Sequence, residues 1–96
     1  MEIEVNVHNQ EIVSLCDSDL IGKTLQEGEL EFIITERFYK GDKLKEKEII
    51  ELLKKVSNIN IVGDKAIKLA LKAKVITKEG IRKIQDVPIA QMYSVI

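Results

Sequence analysis

Cys16-Asp17-Ser18-Asp19-Leu20-Ile21-Gly22-Lys23-Thr24 is the stretch where a half-buried strand pattern stops, and the fold is read outward from that break. Upstream, Ile3, Val5 and Val7 alternate with Glu2, Glu4, Asn6 and His8. Val13 and Leu15 alternate with Ser14 and Cys16, again the period of a strand with one wet face. His8-Asn9-Gln10 supplies a tight turn, so residues 1–16 read as a hairpin. A lone histidine at that tip reads as a solvated turn residue, because no carboxylate or second histidine is placed to orient it. Beyond Cys16 the alternation fails. Asp17 or Ser18 can there accept bonds from the free N–H groups of a short helical turn, with Gly22 as its left-handed stop.

Downstream, Glu27-Gly28 reads as a turn, and Leu30, Phe32 and Ile34 alternate with Glu29, Glu31 and Thr35, giving a third strand that ends near Glu36. In the loop Phe38-Tyr39-Lys40-Gly41-Asp42, one ring anchors on the core. Tyr39, between Arg37 and Lys40, reads either as a second anchor or as an exposed ring that stacks on a nucleic-acid base. From Glu46 the period changes: Ile49, Leu52, Leu53 and Val56 form the apolar stripe of a helix. Ser57-Asn58-Ile59-Asn60 breaks it, and Asn60 or Asp64 starts a second helix with Val62, Ala66, Leu69, Ala70 and Ala73 inward. Lys65, Lys68 and Lys72 recur on another face of that helix, extended by Lys74 and Lys78; the stripe is a solvated face or a contact for a phosphate backbone. Two short strands, Ile81 to Ile84 and Ile89 to Val95, flank Asp86-Val87-Pro88 as a terminal hairpin. The fold expected is α+β in a single domain, 1–96: a small, mainly antiparallel sheet of two hairpins plus a middle strand, with two helices on one face.

Composition agrees with a globular domain. The chain has 96 residues, 45% hydrophobic and 32% charged, and so few aromatics that Ile, Leu and Val must build the core. Met1 is followed by Glu2 and Glu4 with no apolar run, so neither a signal peptide nor a membrane span is expected, and the cytoplasm is the expected compartment. One cysteine and one histidine exclude an internal disulfide and a zinc site built from Cys and His alone; no cofactor is implied. Charge is uneven: residues 1–36 hold nine acids and one base, residues 37–96 fourteen bases and seven acids. That asymmetry serves internal attraction or an anionic partner. Gly22-Lys23-Thr24 lacks the earlier glycine of a phosphate loop, since Asp17 stands there, and Asp17-Ser18-Asp19 lacks the later ligands of a calcium loop. Cys16 lies before a helical start that favours a thiolate, yet Asp17 and Asp19 oppose it; it reads as a small core residue or as a nucleophile.

Five motifs in order, Cys16-Asp17-x-x-Leu20-x-Gly22-Lys23-Thr24, Glu27-Gly28, Phe38-Tyr39-x-Gly41, Asn60-x-Val62-Gly63 and Val87-Pro88-x-Ala90-Gln91, resemble the archaeal domain-of-unknown-function family 424 over nearly the whole chain. The resemblance brings no activity. It implies small cytoplasmic archaeal proteins in the company of translation and RNA-processing genes. Where the family pattern often reads Val-Pro-His-Ala-Gln this chain has Ile89, so the residue best suited to acid–base chemistry is missing. Asp17, Lys23, Tyr39, Asn60 and Gln91 are then polar groups without an evident core role, and with Cys16 they are the motif candidates. The leading expectation is a non-enzymatic accessory protein that binds RNA or a ribonucleoprotein through Lys23, Tyr39, Lys65, Lys68 and Lys72. A protein-interaction module, self-association included, is the alternative, and an enzyme using Cys16 comes last. If the five polar motif residues converge in one cleft, a small-ligand site becomes the better reading.

Overall fold

Alternation builds a hairpin at the start of the chain. In a computed structural model that describes residues 2–93, β1 (Ile3–His8) pairs antiparallel with β2 (Ile12–Asp17), with Ile3 opposite Asp17 and His8 opposite Ile12. Asn9 and Gln10 make the turn with positive φ. Next come β3 (Thr24–Glu27), β4 (Leu30–Ile33), α1 (Glu36–Tyr39), α2 (Glu46–Leu53), β5 (Asn58–Val62), α3 (Asp64–Lys72), β6 (Arg82–Ile84) and β7 (Val87–Tyr93). The main sheet has the order β1-β2-β5-β7-β6, antiparallel except where β2 and β5 run parallel. The α+β class and the mainly antiparallel sheet are as expected.

Three expectations about the strands are corrected. The Leu30 strand does not join the main sheet: Thr24–Glu27 is a strand of its own, and it folds back on β4 across Gly28 (φ 64°) into a separate two-stranded sheet. Residues 57–60 are not merely a break between helices, because Asn58–Val62 forms β5 in the middle of the main sheet. Ile59 and Ile61 alternate with Asn58 and Asn60, and pairing on both sides overrides the poor strand preference of asparagine. The second helix therefore starts at Asp64, and Val62 is not on it. Finally, the last hairpin turns at Gln85-Asp86, both with positive φ as a two-residue turn requires, so β7 begins at Val87. Ser94 and Val95, expected to extend it, lie outside the described residues.

The sheet is covered on both faces. On one, α2 and α3 bury Ile49, Leu53, Ala66, Leu69 and Ala70 against Val13, Leu15, Ile59, Ile61 and Ala90. On the other, Cys16, Val62 and Ile84 meet Leu25, Ile34 and Tyr39 from the β3–β4 hairpin and α1. The sequence pointed to the helical layer; the second layer was not anticipated. Among the described residues no helix is long and apolar enough to cross a membrane.

Candidate ligand cleft

Period two decides what the second sheet face presents. On β5 and β7, Ile59, Ile61 and Ala90 turn to the helices, so Asn60 and Gln91, which are register partners, turn the other way. Arg82 on β6 shares the face of Ile84 for the same reason. The opposite wall comes from α1. Thr35 caps it, its Oγ1 accepting from the Phe38 N–H at 3.3 Å. Polar side chains of the first hairpin then seat it: the Ser14 hydroxyl donates to the Phe38 carbonyl at 2.7 Å, and Asn6 Nδ2 donates to the carbonyls of Arg37 and Lys40 at 3.3 and 3.0 Å. His8 stacks on the Phe38 ring, centroids 4.4 Å apart, and its Nε2 lies 3.0 Å from the Phe38 carbonyl oxygen. This corrects the reading of His8 as a solvated turn residue, since it latches α1 to the sheet.

Tyr39 is thereby pressed edge-on against Phe38 and Phe32, with centroids at 4.9 and 6.4 Å, and is only 7% exposed. It is an anchor and not an exposed stacking ring. Expulsion of polar residues from the helical core and the seating of α1 together leave a cleft of about 370 Å³ lined by Tyr39, Asn60, Arg82 and Gln91, with Phe32 and Ile89 among its apolar walls. The volume falls at the small end of the range for ligand pockets, roughly 300 to 1,000 Å³. Asn60 Nδ2 donates to Asn58 Oδ1 at 3.4 Å, which orients one of the two carboxamides.

The lining offers hydrogen-bonding groups and a cation. Two carboxamides offer donors and acceptors side by side, and Arg82 adds a planar cation. Among the described residues no histidine, cysteine or carboxylate lines the cleft, and burial pushes the Tyr39 hydroxyl up to about 12. Among the described residues no cluster of three His, Cys, Asp or Glu side chains is placed to hold a metal ion. Arg82 was missed in the sequence. Its alternation with Ile84 was visible there, but only the strand order sets β6 beside β7.

The other candidates lie elsewhere. Asp17 does not cap the turn that follows it; its carboxylate accepts from the backbone N–H groups of Lys65 and Ala66 at 3.1 and 2.8 Å, so it caps α3 from the end of the neighbouring strand β2. Burial raises its pKa and those two bonds oppose the rise. Lys23 is exposed at the root of the β3–β4 hairpin, where its carbonyl accepts from the Ile34 N–H, and it does not line the cleft. The lysine stripe of α3 borders a separate groove on the helical side, in which Lys65 pairs with Glu2 and Lys72 with Glu46. Spacing along α3 could not reveal these acids, which arrive from the residue before β1 and from α2. Lys68 lines the same groove between them.

Cys16 is fully buried, and burial followed by the charges of Asp17 and Asp19 pushes its thiol up to about 12. Native protein at pH 8 is expected to react with iodoacetamide at least about 100-fold more slowly than free cysteine, with full labelling only after unfolding. Native labelling at the free-thiol rate would remove the core role.

A small α+β protein with a polar cleft between its sheet and a docked hairpin is the class these features define. A family model described as protein of unknown function (DUF424) matches residues 5–95, and the chain belongs to that family. A crystal structure of an uncharacterized conserved protein from Methanopyrus kandleri is similar, with a TM-score of 0.76 and 26% identity over 95% of this chain and 88% of that one. No curated protein matches.

Proposed function

We propose that this protein is a non-enzymatic RNA-binding accessory factor, acting in translation or RNA processing, and that it grips RNA in the cleft rather than through the α3 lysines. The observation that carries the reading is the convergence of Tyr39, Asn60 and Gln91, from three separate sequence motifs, with Arg82 in one cleft of about 370 Å³. Paired carboxamides match the donor–acceptor edge of a base, the apolar walls match its faces, and a guanidinium suits phosphate. On α3, two of the three lysines already have carboxylate partners.

The test is fluorescence anisotropy of a labelled pool of single-stranded RNA fragments at low salt. Asn60→Ala with Gln91→Ala is expected to weaken binding at least about 5-fold, a bidentate amide–base pair being worth roughly 1–3 kcal/mol. Charge reversal of Lys65, Lys68 and Lys72 is expected to leave most of the affinity and the slope of its salt dependence in place. Loss of binding in the reversal alone would move the site to α3, and no binding at all would end the RNA reading.

A second reading, a protein-interaction module, is favoured by the β3–β4 hairpin, which exposes Leu30 and Ile33 among Glu27, Glu29 and Glu31. Its signature is salt-sensitive self-association in sedimentation, with the basic part of one molecule against the acidic hairpin of another.

A further inference from the structure

The cleft has a neighbour. At the end of β7 a second hollow of about 320 Å³ is lined by Lys74, Val75, Thr77, Met92 and Tyr93, and it shares Gly80 and Gln91 with the first. The two hollows therefore adjoin at Gly80 and Gln91.

Four observations indicate what would lie along the two hollows. Tyr93 follows Gln91 by two positions on β7, so both side chains stand on one sheet face, about 6.8 Å apart along the strand. Tyr93 is 73% exposed, whereas Tyr39 is 7% exposed, and it has the exposed ring that the sequence had suggested for Tyr39. The segment around them is basic: residues 74–83 carry Lys74, Lys78, Arg82 and Lys83 against Glu79 alone. Lys74 is also held at φ 61°, just past the end of α3, where glycine is the ordinary choice. A lysine there sacrifices backbone comfort and sets a cation at the rim of the second hollow.

We infer that the two compartments form one track for single-stranded RNA, with one base held by Asn60 and Gln91 and an adjacent base stacked on Tyr93, while Lys74 and Arg82 meet the phosphates. This rests on the cleft reading above and extends it from a single base to a run of nucleotides. An exposed aromatic beside a cationic groove is a sequence-tolerant stacking platform, worth roughly 1–3 kcal/mol per base, which corresponds to about 5- to 150-fold in affinity.

The experiment compares Tyr93→Ala with the parent protein on two probes, the four nucleoside 5′-monophosphates and fluorescein-labelled RNA hexamers, with inorganic polyphosphate as competitor. The expected result is a loss of at least about 5-fold on hexamers with no change on mononucleotides. Lys74→Gly separates binding from folding: it is expected to raise Tm, because glycine accepts the left-handed backbone freely, and to weaken hexamer binding. Mononucleotide binding with hexamer affinity unaffected by Tyr93→Ala would overturn the track and leave the cleft reading standing. Displacement by polyphosphate as effectively as by unlabelled hexamer would overturn it as well, since stacking would then contribute nothing. Binding of neither probe would remove the cleft reading and the track together.

Discussion

Gly63→Ala is expected to destabilise the protein by at least about 3 kcal/mol, a large part of the roughly 5–15 kcal/mol available to a domain of this size. Gly63 sits at φ 109°, directly before α3, and a Cβ there would lie within contact distance of the Asp17 Cγ and only 2.6 Å from its Oδ2. Its own lack of a side chain leaves α3 without a local cap. Asp17 fills the gap from the end of β2, its two oxygens taking the Lys65 and Ala66 N–H groups of the first turn. Glycine and carboxylate are therefore one device. Asp17→Ala alone is expected to cost about 2–3 kcal/mol, because two charge-assisted bonds disappear and two partly or fully buried donors lose their partner. In the Asp17→Ala background Gly63→Ala costs less than in the parent, since only the backbone strain remains; equal costs in the two backgrounds would refute the coupling. Urea denaturation of the four proteins measures it. The pH dependence has a definite sign: with the Asp17 pKa raised by burial, the folded state binds that proton more tightly than the unfolded one. Stability is thus fully present below the unfolded pKa and falls as pH rises through the folded pKa, and Asp17→Asn is expected to remove that slope.

Gly41→Ala is expected to cost about 2–4 kcal/mol and to weaken the cleft along with the fold. An added Cβ would overlap the Val5 carbonyl oxygen and lie 2.7 Å from the Val5 carbonyl carbon, where backbone on both sides leaves nothing to move aside. The close approach serves a pair of bonds, Val5 N–H to the Asp42 carbonyl and Asp42 N–H to the Val5 carbonyl, both 2.9 Å, which fasten the segment after α1 to the outer edge of β1. Gly41 N–H also donates to the Glu4 carboxylate at 3.1 Å. Because α1 carries Tyr39 and Phe38, loosening that edge frees one wall of the cleft. Hydrogen exchange of Val5 and Asp42 is expected to quicken in the variant. Unchanged exchange at both amides would show that the close approach is not what fastens α1.

Strands with clean alternation were legible without coordinates. Ile3 to Val7 and Val13 to Cys16 announce both their period and their turn, because a single wet face writes itself into every second residue. Asn58 to Val62 writes the same period, yet two asparagines and neighbouring helices masked it. Its place in the sheet depends on β2 and β7, which lie far away in sequence. Residue candidates divide in the same way. Tyr39, Asn60 and Gln91 could be named as polar groups lacking a core role, but Arg82 could not be added to them until β6 lay beside β7. Asp17 was legible as a cap, though for the wrong helix, since a carboxylate caps whichever free N–H groups reach it. The sequence by itself determined the α+β class, the first hairpin, the helix α2 and the family, all of them consequences of short-range period and motif order. Tertiary structure alone decided the parallel β2–β5 pairing, the second layer over the sheet, the pairing of Lys65 and Lys72 with acids, and the cleft. Each of those depends on groups distant in the chain meeting at hydrogen-bond or contact distance, and local spacing carries no record of such a meeting.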